Sequence, residues 1–143
     1  MSGAIVVSDQ TIVAEGAVVG GVRVLLRLEG LAVLTAASLA YATTGTSWLV
    51  FSLAFFAPDL SFAAYLAGPR IGAAAYNAAH SIILPLLLAV CGYLFKSDPA
   101  FATALIWLAH IGFDRLLGYG LKYQTAFRHT HLGLIGRDPV TTE

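Results

Sequence analysis

The chain has 143 residues, of which 58% are hydrophobic and 11% charged, and its formal net charge is zero. Its mean hydropathy is +0.79. A soluble domain carries about 25% charged residues, so this composition excludes an ordinary water-facing surface and points to an integral membrane protein. Zero net charge gives no footprint for nucleic acid. The single Cys91 excludes an intrachain disulfide, and its apolar surroundings place the thiol at a packing position.

In chain order, residues 1–22 form an extension. The runs "AIVV" and "TIVA" around "SDQ" read as a short hairpin or a disordered arm, with no basic-then-apolar signal pattern. Four apolar segments follow within 23–122: Val24–Ala42, Ser47–Ala67, Ile71–Phe95 and Pro99–Gly120. Each can cross about 30 Å of hydrocarbon at about 1.5 Å per residue. Their short connections predict an all-α, antiparallel four-helix membrane bundle. Residues 123–143 form a tail, whose "HLGLIGRDPVTTE" is expected to lie on the membrane surface and whose His129 and His131 read as solvated.

Arg23, Arg27, Arg70, Arg115, Lys122, Arg128 and Arg137 gather at one end of this arrangement and only Lys96 at the other. The positive-inside rule then puts both termini in the cytoplasm, with a bacterial inner membrane as the expected location. Trp48, Tyr93, Tyr119 and Tyr123, near span ends, read as interface anchors.

Glu29, Asp59, Asn77, His80, His110 and Asp114 lie inside the spans. A charged group at such depth costs about 3 kcal/mol even on a lenient scale, so each should face the bundle interior and a partner. Counted from the cytoplasmic ends, Glu29, Asn77 and Asp114 sit about 8–9 Å deep, and Asp59, His80 and His110 about 12–15 Å deep. All six fall in one slab. His110 and Asp114 share a helix face at a spacing of four, and Asn77 and His80 at a spacing of three. The small residues of "GAAAYNAAH" permit close helix approach. Pro58 and Pro85 free the carbonyls of Ala54 and Ser81 and open room beside the polar layer.

Two histidines and several carboxylates drawn from four helices suit a divalent metal, zinc or iron. His80, His110 and Asp114 are the expected ligands. Glu29 and Asp59 are further ligands or a catalytic base, and Asn77 and Arg115 a supporting polar network. A purely structural reading stands beside each. The histidines could lock helix packing, Glu29 could pair with Arg23 or Arg27, Asn77 could be a strut, and Arg115 could snorkel to the headgroups or pair with a carboxylate.

The stretches "RLEGLAVL", "FFAPDLSFAAYLAGPRIGAAAYNAAHSIILPLLL", "WLAHIGFDRLLGYGLKY" and "THLGLIG" resemble a family of small bacterial integral membrane proteins known only as a domain of unknown function. The resemblance covers roughly Arg27 to Gly136. It implies the four-helix membrane fold and brings no activity or cofactor. The family's polar motifs fall on Glu29, Asp59, Asn77, His80, His110, Asp114 and Arg115.

The expected function is a membrane-embedded, metal-dependent enzyme acting on a lipid-like or inner-leaflet substrate. Membrane lipid is the expected partner, and four spans make a bundle small enough to leave self-association open. Two other classes stay open: proton or ion transport through the carboxylates and imidazoles, and a structural or regulatory protein with a buried polar network.

Overall fold

A computed structural model of the chain describes residues 6–8, 11–13, 17–124 and 128–135. Near its start, β1 (Val6–Ser8) pairs with β2 (Thr11–Val13) in antiparallel register, Val7 opposite Ile12. The helical domain follows as α1 (Gly20–Ala42), α2 (Trp48–Ala54), a 3₁₀ segment (Ala57–Ala67), α3 (Pro69–His80), α4 (Ile83–Leu94) and α5 (Asp98–Leu117). These make four helical passes, each long and apolar enough to cross a membrane. The two passes expected to be disturbed at Pro58 and Pro85 are each divided into two helical pieces near those prolines.

Pro58 stands at the start of the 3₁₀ segment, where a missing amide hydrogen is tolerated. The segment runs for eleven residues, far longer than the three or four usual for this helix type. At three residues per turn, Asp59, Phe62 and Tyr65 stack along one face, and that face meets α3. Phe62 packs on Tyr76, and Gly72 leaves room for the ring of Tyr65.

The third pass breaks at Ser81, whose backbone is extended, and Pro85 then sits in the first turn of α4. A break inside hydrocarbon strands carbonyls that water cannot reach. The Trp107 indole donates to the carbonyl of Ala79 at 2.6 Å, and the Arg115 guanidinium donates to that of His80 at 3.0 Å. Arg115 also donates to the Tyr119 carbonyl at 2.7 Å. It thus satisfies two helix ends, and among the described residues it makes no ion pair with a carboxylate.

Helix α5 is the hub, with Ala102, Leu105, Ile106, Ala109 and Ile111 buried along it. It packs against α4 through Gly92, which abuts the backbone at Phe101, and against α1 through Gly30 and Gly112. A methyl group on Gly112 would lie 2.5 Å from the Leu34 amide nitrogen, and one on Gly30 would lie 2.8 Å from the Gly112 carbonyl oxygen. Nearer the opposite end, buried Tyr41 packs with Ala102 and Leu105 beside Phe51. Cys91 is exposed on α4, not packed, because the face of α4 that meets α5 is the one bearing Ala89 and Gly92.

α5 ends at Gly118, whose left-handed backbone (φ +95°) lets the Tyr119 amide reach the Asp114 carbonyl at 2.8 Å. The chain then turns back across the end of the bundle. Lys122 bridges to Thr130, β3 (His129–Thr130) pairs with β4 (Gly133–Leu134), and the Val18 amide donates to the His131 carbonyl. The described tail residues, 121–124 and 128–135, are therefore folded onto the basic end of the bundle; residues 125–127 and 136–143, and with the latter the rest of the expected surface-lying stretch, lie outside the described residues.

The obstruction at Gly112 is backbone, which cannot swing aside. Gly112→Ala should therefore lower stability by about 1–3 kcal/mol, while Gly21→Ala, which meets open space, should not. Thermal unfolding of the two variants in one detergent checks this.

Candidate metal centre

Four of the residues picked out above converge. Asp59 comes from the 3₁₀ segment, His80 from the end of α3, and His110 and Asp114 from one face of α5. One donor atom from each lies within 4.8 Å of all the others. The two imidazole Nε2 atoms are 3.2 Å apart. His80 Nε2 is 3.4 Å from Asp59 Oδ1 and 3.5 Å from Asp114 Oδ2; His110 Nε2 is 3.5 and 3.9 Å from the same oxygens. Around an ion with bonds of about 2.0–2.1 Å, tetrahedral ligand atoms stand about 3.3–3.4 Å apart. Five of the six edges, at 3.2–3.9 Å, lie near that figure, with the His110–Asp114 edge somewhat long; the sixth, between the Asp59 and Asp114 oxygens, is within 4.8 Å.

The protons support the same conclusion. His80 Nδ1 lies 2.9 Å from the Tyr76 carbonyl, which can only accept, so Nδ1 carries the hydrogen. In the neutral ring Nε2 then offers a lone pair, and it faces two carboxylate oxygens. Acceptors crowded in this way need shared protons or a cation among them: a hydrogen on His110 Nε2, 3.2 Å from His80 Nε2, is one way to meet that need and a metal ion is another. A histidine whose second nitrogen is held by a backbone carbonyl is the usual arrangement for a metal ligand. His110 differs: its Nδ1 is buried and meets no hydrogen-bond partner among the described residues. Its ring is held by edge contacts with Phe55 and Phe56.

Tyr76 reaches the centre three ways. Its ring stacks on His80 at 3.8 Å, its carbonyl orients His80, and its hydroxyl donates to Asp114 Oδ2 at 3.2 Å. The sequence does carry a signal for it, since Tyr76 and His80 are four apart on the face of α3 that holds the site.

His80 and His110 are buried to within 1% and Asp114 to within 8%, whereas the Asp59 side chain is 36% exposed. Asp59 is thus the open edge, and anything approaching the centre comes past the 3₁₀ segment.

Asn77 and Glu29 sit elsewhere. The Asn77 amide clasps the backbone of Lys122, donating to its carbonyl at 2.8 Å and accepting from its amide at 2.7 Å. That clasp holds the Lys122 ammonium over the rings of Phe62, Tyr65 and Tyr76, at 5.2, 5.9 and 4.9 Å. Lys122 is 3% exposed, and burial pushes its pKa down to about 8. No span pattern marks Lys122, because it lies beyond Gly118, where the chain reverses.

Glu29 is exposed on α1 and stands apart from the four donors. It lines a groove of about 360 Å³ with Arg115, Ser81 and His131. The physical reason is azimuth: α1 packs against the Gly112 side of α5, not the side that carries His110 and Asp114. His131, also at this groove, accepts from the Leu121 amide at 2.8 Å. Burial and the Arg115 charge hold its imidazole below its ordinary pKa, which keeps it in the neutral form that accepts.

The domain model "Domain of unknown function (DUF4260)" matches residues 23–135. The chain belongs to this family. No curated protein and no solved structure matches it. The family's span takes in all four donors together with Tyr76, Asn77 and Lys122, and leaves the β1–β2 pair outside.

Between about pH 8 and 10.5 the unfolded chain holds the Lys122 proton and the folded chain has released it, so stability should rise with pH in that window. Thermal midpoints measured across it should climb more steeply for the wild type than for Lys122→Met.

Proposed function

We propose that this protein is a membrane-embedded divalent-metal protein, and that the metal serves an enzyme acting on a lipid-like or inner-leaflet substrate. The observation that carries the reading is the convergence of four buried or half-buried donors within 4.8 Å of one another, with the His80 Nδ1 hydrogen held by the Tyr76 carbonyl and Nε2 turned to the other donors. His80, His110 and Asp114 are the ligands. Asp59, on the open edge, is a fourth ligand or a base toward bound water.

A divalent ion at such a site lowers the pKa of bound water and polarises an ester or phosphoryl oxygen. The chain's own residues supply the rest. Tyr76 holds Asp114 and His80 in place, Phe55 and Phe56 close one side of His110, and Asp59 can take a proton from a group arriving at the open edge. Zinc or iron suits the mixed nitrogen and oxygen donors. By the positive-inside rule the end with Arg23, Arg27, Arg70 and Lys122 faces the cytoplasm, in a bacterial inner membrane. Membrane lipid is then the ready substrate pool.

Proton or ion transport has less support. Between the centre and the far loop carrying Lys96 and Asp98, the passes contribute no ionisable side chain other than Tyr41, Cys91 and Tyr93. A relay would have nowhere to continue.

Elemental analysis of purified protein should find about one divalent ion per chain, falling toward zero in His80→Ala and His110→Ala. Chelation should lower the thermal midpoint of the wild type and leave those variants unmoved. A wild-type protein without stoichiometric metal, after growth with zinc and iron supplied, would remove the proposal.

A further inference from the structure

The second pass lies at the edge of the bundle: no residue of α2 or of the 3₁₀ segment is buried. Asp59 stands in this pass with its side chain 36% exposed. At the three-residue repeat, Phe56 precedes it and Phe62 follows it on the same face. The Phe56 ring lies 6.4 Å from that of His110, and the Phe62 ring 6.4 Å from that of His80. The two rings therefore flank the donors on either side of the acid. Both reach the surface, Phe56 being 59% and Phe62 37% exposed, and Leu60 beside the acid is 77% exposed. The open edge of the centre is thus framed by apolar surface on the outside of the bundle.

Depth says what that surface meets. The turn at Gly68 joins the second and third passes at the basic end. Eight residues separate Asp59 from Ala67, or about 16 Å at about 2.0 Å per residue. Eleven separate His80 from Pro69, again about 16 Å at about 1.5 Å per residue. Both donors therefore lie near the middle of about 30 Å of hydrocarbon, far below the level of lipid headgroups.

We infer that the centre opens sideways into the hydrocarbon of the bilayer, between Phe56 and Phe62, and takes an uncharged, membrane-dissolved acyl ester. The inference rests on the metal reading above and names the substrate class for it. Charge argues for the same occupant as depth does. With a divalent ion bound, the Asp59 and Asp114 carboxylates are matched in charge, and neutral imidazoles add none. The nearby cations are engaged away from the opening. Arg115 donates to the His80 and Tyr119 carbonyls, and Lys122, 3% exposed, sits over the rings of Phe62, Tyr65 and Tyr76. An anionic head would leave the interface and cross about 15 Å of hydrocarbon to a neutral centre, at a cost of about 3 kcal/mol or more. An ester carbonyl makes the same journey without a charge, and it is a group that a divalent ion polarises.

The test uses the full chain in phosphatidylcholine nanodiscs. In a Cys91→Ser background, bimane attached to Leu60→Cys should be quenched by lipids brominated near their chain ends and spared by aqueous iodide. On the unaltered chain, phenanthroline is uncharged and dissolves in the bilayer, whereas sulfonated bathophenanthroline is excluded from it. Phenanthroline should strip the metal at least about tenfold faster. Methyl palmitate in the bilayer should slow that stripping by about threefold or more, and hexadecyl phosphate at equal content should leave it unchanged. The inference is overturned if iodide quenches as well as brominated chains do, or if the two chelators strip at equal rates. It is equally overturned if the ester gives no protection or the phosphate protects as well. Should Leu60→Cys fail to fold, the chelator and protection measurements on the unaltered chain decide. Metal content at the outset separates the two readings. A chain without metal refutes the proposed function, and bimane quenching alone then decides the sideways opening. Metal lost equally to both chelators refutes this inference and leaves the metal reading standing.

Discussion

The cost of holding carboxylates and imidazoles away from water governs this molecule. Each group placed in the apolar interior must find compensation there, and the structure meets that demand by bringing Asp59, His80, His110 and Asp114 to one point. The arrangement concentrates the problem: crowded acceptors are worse than separate ones unless shared protons or a cation join them. That is why the folded bundle and its proposed metal are best regarded as one thermodynamic unit. The second demand comes from the backbone. Breaking a pass beside the centre exposes carbonyls, and Arg115 and Trp107 are spent on covering them. Polar side chains near the site thus divide into those that make the centre and those that make its irregular backbone tolerable.

The fold was legible because hydropathy and length are strong signals for membrane helices. Composition marked four passes, and short loops implied antiparallel neighbours. The broken second and third passes were only half legible: Pro58 and Pro85 announced disturbance, but a proline does not say whether the chain kinks, winds into a 3₁₀ helix or opens fully. The tertiary contacts decided that, through the stack of Phe62 on Tyr76 and the indole hydrogen bond to Ala79.

The centre was legible to a similar degree. Counting residues from the span ends gives height in the bilayer, and height brought Asp59, His80, His110 and Asp114 together correctly. It also levelled Glu29 with them, since height carries no information about which way a helix is turned. The Gly30–Gly112 contact settles that rotation and leaves Glu29 beside Arg115. Tyr76 carried a spacing signal that an inventory of ionisable groups passes over. Lys122 carried none, because its position depends on the reversal after Gly118 and on the clasp of Asn77.

The three-residue repeat of the second pass ties ligand to cage. A 3₁₀ helix advances about 120° per residue and an α-helix about 100°. Rewinding the stretch from Asp59 to Tyr65 into α-helix would therefore swing the carboxylate by roughly 120° relative to the tyrosine ring. One torsional coordinate in the backbone thus sets, at once, whether the open edge of the centre is closed by its acid and whether the aromatic seat beneath the lysine is complete.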